Sequence, residues 1–270
     1  VKLPVEVKDV VNGSRFLEGG SVFGAFTSLG DHFVLSAIAL ECARHCQKLY
    51  IPSHVWAYPT IRCLYQDVSN IEVVPFKTLE DHRVFHAANN LREIVLPPIS
   101  ASDVYFPGMK EVLSIPVDWE RQIYEQAELS YHRRYTGFKL PNKVEGADEL
   151  YEKLTEGESK YALFHQQSGT NPDGYHILIE HFRRVSNLPD MKIIEIREGT
   201  TENLLQYITL ISNATEIHGI TSSFLCLVDS IATQIPAKLF LHDIRLNFLT
   251  LYNCKWNGFK WNRVQYFNKY

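Results

Sequence analysis

Apolar positions along the chain switch between short continuous runs and four-residue spacing, in regular alternation from Ser21 onward. Ser21 to Phe26 predicts a strand and Thr27 to Asp31 a turn, and Phe33 to Gln47 sets Val34, Ile38 and Cys42 on one helical face. Leu49-Tyr50-Ile51 predicts a second strand, Tyr58 to Gln66 a helix, and Ile71 to Phe76 a third strand ended by Pro75. Such βαβαβ alternation implies parallel strands with right-handed crossovers, the half-sheet of a Rossmann-like domain.

From Ile99 to Asn142 the pattern becomes aromatic, Pro-punctuated and then basic, with Trp119, Tyr124, Tyr131, His132, Arg133, Arg134 and Tyr135. One or two helices and irregular loops covering a cleft are expected there. Gly146 to Gly157 predicts a charged helical connector, which divides the chain into domains 1–145 and 146–270. Alternation resumes with strands at Tyr161 to His165, Lys192 to Ile196, Glu216 to Ile220 and Lys238 to His242. Helices are expected between them at Asp173 to Val185, Thr201 to Ser212 and Ser223 to Thr233. The fold class read from this order is α/β, two Rossmann-like domains facing a cleft.

Composition narrows the choice. With 45% hydrophobic and 21% charged residues the chain is globular, and its net charge of −4 offers no general field for nucleic acid. The five cysteines lack CxxC or Cys/His metal spacing and read as reduced, buried thiols, which places the chain in the cytoplasm. No apolar run approaches the roughly 18 residues of a membrane span.

Three turns carry candidate chemistry. Thr27-Ser28-Leu29-Gly30-Asp31-His32 joins the first strand to the first helix, and in an open parallel sheet the ligand crevice lies beyond the carboxyl ends of the strands. Gly30 is expected to allow a tight turn, Asp31 to act as general base and His32 to be its runner-up; a plain helix cap explains Asp31 equally well. His165-Gln166-Gln167-Ser168-Gly169-Thr170-Asn171-Pro172 offers neutral donors for phosphate, His165, Ser168 and Thr170 among them, although its composition is also that of an ordinary loop. Thr215 to Phe224 is the most specific, a strand followed by Thr221, Ser222 and Ser223 and then an apolar helix from Phe224, which aims helix-start amides at an anion. Glu195, Arg197 and Glu198 lie at the end of another strand, where Arg197 is suited to neutralising a phosphate, or all three to a solvated charged surface. His218 faces either the anion or the core. Neither a Walker A loop nor GxGxxG is present.

The Gly30-Asp31 turn together with Ile217-His218-Gly219-Ile220-Thr221-Ser222-Ser223-Phe224 resembles the heptosyltransferase-like group of GT-B glycosyltransferases, and in length the chain resembles compact glycan-building enzymes of bacteria or large DNA viruses. The resemblance implies that Asp31 is the base and that the turn from Thr221 to Phe224 holds the donor diphosphate. It implies partners of two kinds, a nucleotide-sugar donor, UDP favoured over GDP, and a glycan hydroxyl acceptor. No metal or other cofactor is expected, because no DxD pair or His/carboxylate cluster stands out. The lysine-containing phosphate motif of the heptosyltransferases is not evident. A nucleotide-sugar 2-epimerase and a non-catalytic sugar-nucleotide or glycan-binding module are the rival readings.

Overall fold

The computed structural model describes residues 2, 4–13, 16–23, 28–96, 119–166, 191–197, 199–220, 222–243 and 261–265. The chain forms two compact units, Val1–Asn142 and Lys143–Tyr270.

In the first unit the order is β1 (Val5–Glu6), α1 (Val7–Val11), β2 (Leu17–Phe23), α2 (Leu29–Arg44), β3 (Cys46–His54), α3 (Tyr58–Leu64), β4 (Ile71–Phe76), α4 (Leu79–Ala88), β5 (Arg92–Val95), α5 (Trp119–Gln126) and α6 (Arg133–Thr136). The five strands are all parallel, in spatial order β1-β5-β2-β3-β4. Pro75 pairs with Ser53 inside β4, which tolerates a missing N–H because β4 is the edge strand. The strands β1 and β5 lie outside the three foreseen from the sequence.

Helix α2 starts at Leu29 rather than Phe33, because Ser28 and Asp31 form a capping box that satisfies the first free amides. It ends at Arg44, since Cys46 already belongs to β3. Its residues Phe33, Val34, Leu35, Ile38, Ala39 and Cys42 are all buried, so the helix is apolar on more than one face. One side packs on β3 and another on α6. The segment 119–142 covers α2: the Tyr124 hydroxyl donates to the Val34 carbonyl at 2.7 Å, and the Phe33 and Phe138 rings meet edge-on at 6.4 Å. Arg134 is wholly buried, paired with Glu120 at 2.5 Å and bonded to the Tyr131 hydroxyl at 3.1 Å. Tyr124, Arg134, Tyr135 and Phe138 are thus packing residues.

The second unit runs α7 (Ala147–Thr155), β6 (Tyr161–His165), β7 (Lys192–Ile196), a 3-10 turn (Leu204–Tyr207), α8 (Ile208–Asn213), β8 (Glu216–Gly219), α9 (Ser223–Ser230), β9 (Lys238–Asp243) and β10 (Trp261–Gln265). All five strands are parallel, in order β10-β9-β8-β6-β7. Leu163, Ile217 and Leu239 align across β6, β8 and β9 with no exposed surface, which fixes the register by burial. The helix expected from Thr201 begins later, because the Asn203 side chain accepts from the Leu205 amide and opens a 3-10 turn first. Gly146 precedes α7 at φ +78°, a left-handed backbone conformation that would strain any other residue. The helix foreseen at Asp173 to Val185 lies outside the described residues.

Candidate functional site

Each sheet has one place where the strand order reverses. In the first unit the chain moves outward from β2 through β3 to β4, then returns to place β5 on the other side of β2. The crevice beyond the carboxyl ends of β2 and β5 is the topological switch point. Helix α2 follows β2 and so begins at that edge.

Asp31 lies in the first turn of α2. Its Oδ2 accepts from the Ser28 amide at 3.0 Å and from the Ser28 hydroxyl at 2.9 Å, leaving Oδ1 with no hydrogen bond among the described residues. Burial raises the Asp31 pKa, and the two bonds from Ser28 oppose that rise. A carboxylate shifted upward at the start of a helix can take a proton from a weak acid. His32 points into the core, 3% exposed, and burial together with repulsion from His54 lowers its pKa to about 4. Gly30 departs from expectation: it is buried in the first turn of α2, and no tight turn forms at it.

In the second unit the chain passes from β6 to β7, then returns to the other side of β6 with β8. At this reversal His165 ends β6, Gly219 ends β8, and Ser222 caps α9. The Ser222 hydroxyl accepts from the Leu225 amide at 3.3 Å and lies 3.1 Å from His165 Nδ1. The His165 ring stacks on Phe224 at 5.1 Å, and burial lowers its pKa to about 4, so the imidazole is neutral at pH 7. A Cβ on Gly219 would lie 2.1 Å from Leu225 Cδ1, which is why α9 can approach β8 closely. The amides of Ser223 and Phe224 open the helix and have no partner within it, the arrangement that favours an anion.

Glu195 is drawn toward its neighbours: Oε1 accepts from Gln166 Nε2 at 3.1 Å, and Oε2 accepts from Arg197 Nε at 2.8 Å and Nη2 at 2.5 Å. Arg197 remains well exposed, with 69% of its side chain open to solvent. Gln166, buried at the end of β6, was missed from the sequence although it sits inside the quoted motif. An amide in a polar loop carries no signal until its partner strand is known.

His218 is corrected to a core residue. It is 1% exposed, stacked between Phe164 at 4.5 Å and Phe240 at 4.4 Å, and bonded to His242 at 3.0 Å and Glu216 at 3.3 Å. The aligned register of β6, β8 and β9 puts all three rings in one row on one sheet face. Ser168, Thr170, Glu198 and Thr221 lie outside the described residues.

No group of three or more His, Cys, Asp or Glu that could hold a metal occurs among the described residues. Cys42, Cys46, Cys63 and Cys226 form no disulfide among the described residues, and no helix among the described residues is long and apolar enough to cross a membrane. A cavity of about 730 Å³, lined by Phe16, Leu40, Glu41, Arg44 and Arg133, lies where β3 begins, at the opposite end of the first sheet from Asp31.

No protein-family profile matches the chain, and no curated protein matches its sequence. Among solved structures it is similar to a glycosyl transferase family 9 protein from Veillonella parvula, with 9% identity over 95% of this chain and 89% of that one, and a TM-score of 0.54. It is also similar to the iron-containing dodecameric glycosyltransferase TibC from enterotoxigenic E. coli, with 13% identity over 84% of this chain and 59% of that one, and a TM-score of 0.47. The first likeness shows the fold alone: an α/β chain of two Rossmann-like domains of the GT-B type.

Proposed function

We propose that the chain is a glycosyltransferase that moves a sugar from a nucleotide-diphosphate sugar, UDP favoured, to a glycan hydroxyl. The observation that carries this reading is the second-unit switch point, where His165 and Ser222 meet at the opening of α9. A diphosphate there gains the Ser223 and Phe224 amides and the helix dipole. Arg197 adds a cation at the neighbouring strand end, and Glu195, held by Gln166, offers acceptors for ribose hydroxyls.

In this reading Asp31 takes the proton of the acceptor hydroxyl. The acceptor oxygen forms a bond to the anomeric carbon, the bond from that carbon to the diphosphate oxygen breaks, and the leaving diphosphate keeps the electron pair. Attack opposite the leaving group inverts the configuration. The negative charge that develops falls on helix amides, a fixed electrostatic stabiliser that needs no bound metal.

Calorimetry with UDP and GDP, followed by transfer assays from UDP-sugars in excess EDTA, tests this. Binding of UDP in preference to GDP, with product of inverted configuration formed in EDTA, is the expected result. Binding of neither nucleotide defeats the reading, and loss of transfer in EDTA defeats its metal-independent part.

A further inference from the structure

The carboxyl edge of the first sheet carries a second feature. Strand β3 lies beside β2 and runs parallel to it, so the turn after His54 emerges at the same edge as the start of α2. That turn, Val55 to Ala57, presents Trp56 with 59% of its surface exposed. Exposed indoles are costly, since burying an aromatic ring of this size contributes more than burying any aliphatic side chain.

The turn is fixed from both sides. The Val55 amide donates to the Phe76 carbonyl of β4 at 3.2 Å, the Ala57 amide donates to the His54 carbonyl at 2.9 Å, and Ala57 itself is 1% exposed. The His54 ring lies nearly parallel to the indole, 5.9 Å away and tilted by 14°, and so holds its orientation. His54 is also near enough to His32, the neighbour of Asp31, to oppose its protonation.

Resting on the transferase reading above, we propose that Trp56 is the platform on which a pyranose ring of the glycan acceptor stacks, with His54 as its positioning residue. A pyranose is amphipathic in the required way: its axial C–H bonds form an apolar face that fits an indole, while its hydroxyls stay in water. The size of the patch fits one ring. Val55 is the exposed apolar neighbour, and the two side chains fall far short of the roughly 800 Å² per partner that a stable protein interface buries. Phe16 is exposed to a similar degree, 60%, but sits at the start of β2, at the opposite end of the sheet.

Saturation-transfer NMR on the full chain, with methyl β-glucoside, β-galactoside and N-acetyl-β-glucosaminide as probes, tests the platform directly. Signal on the ring C–H protons of at least one probe is expected in the unchanged protein. It should fall about tenfold in Trp56→Ala, stay within about twofold in Trp56→Phe and be unaffected by Phe16→Ala. Thermal melting of all variants should coincide, since both side chains are largely exposed. No signal from any probe, or equal signal in Trp56→Ala and Phe16→Ala, overturns the proposal. UDP calorimetry on the same samples separates the two readings. If the unchanged protein binds no nucleotide, the transferase reading fails whatever Trp56 does; if UDP binds while Trp56→Ala keeps its pyranoside signal, the platform alone fails.

Discussion

Ser222 Oγ lies 3.1 Å from His165 Nδ1, joining the last residue of one strand to the cap of the helix that follows its neighbour. Because β6 and β8 flank the reversal of strand order, this bond lies at the switch point of the second sheet. The same hydroxyl accepts from the Leu225 amide. Losing it therefore affects both the helix start and the imidazole.

Replacing Ser222 with Ala is expected to cost about 1 kcal/mol through the lost cap. The melting temperature should fall by about 2–4 °C in calorimetric scans. UDP affinity should drop about tenfold, because the helix-start amides lose their fixed aim. A melting shift without any change in UDP affinity would confine Ser222 to capping.

Asp31→Asn preserves a side-chain acceptor for the Ser28 amide, so the capping box survives while the base is lost. Transfer should fall by about 10² to 10⁴ with UDP affinity unchanged, measured by single-turnover kinetics and calorimetry. Asp31→Ala should lose the same activity and also melt lower, because the capping box opens. Near-normal turnover in the Asn variant removes Asp31 from the chemistry.

Histidines buried in the neutral form make the fold sensitive to acid. The pKa values of His32 and His165 drop from 6.5 to about 4 through burial, so between those pH values the unfolded chain binds protons that the folded chain does not. Stability contributed by these groups is present above pH 6.5 and is lost as pH falls toward 4. His218, lowered to about 2, extends the loss further. Asp31 acts in the opposite sense, since its raised pKa favours the folded state as it gains a proton. Denaturant titrations from pH 7 to pH 4.5 should show falling stability, with a shallower slope in His165→Gln; a flat profile contradicts the neutral assignments.

His218→Ala removes a ring stacked between Phe164 and Phe240 and leaves His242 and Glu216 without the bonds it makes. Destabilisation of about 2–5 kcal/mol is expected from the cavity and the stranded polar groups. The folded fraction should bind UDP as the unchanged protein does. Selective loss of UDP affinity, with stability intact, would return His218 to the ligand site.

How far the site was legible in the sequence depends on what each residue's role rests on. His165 and His218 look alike in the chain, each near the end of a short apolar run. Only the register of β6, β8 and β9 places one beside a helix start and the other in a row of rings. Trp56 carries no signal in the sequence, because exposure cannot be read from residue type. Gln166 likewise became visible through Glu195, a partner 29 positions away.

By itself the sequence determined the α/β alternation and the polar residues at the starts of α2 and α9. Those features depend on local periodicity, on capping residues and on chain direction, which act over a few neighbouring positions. Tertiary structure alone decided the strand orders, the short strands β1, β5 and β10, and which face each side chain presents. Strand pairing joins residues distant in the chain, and a shift of one residue in register turns every side chain to the other face.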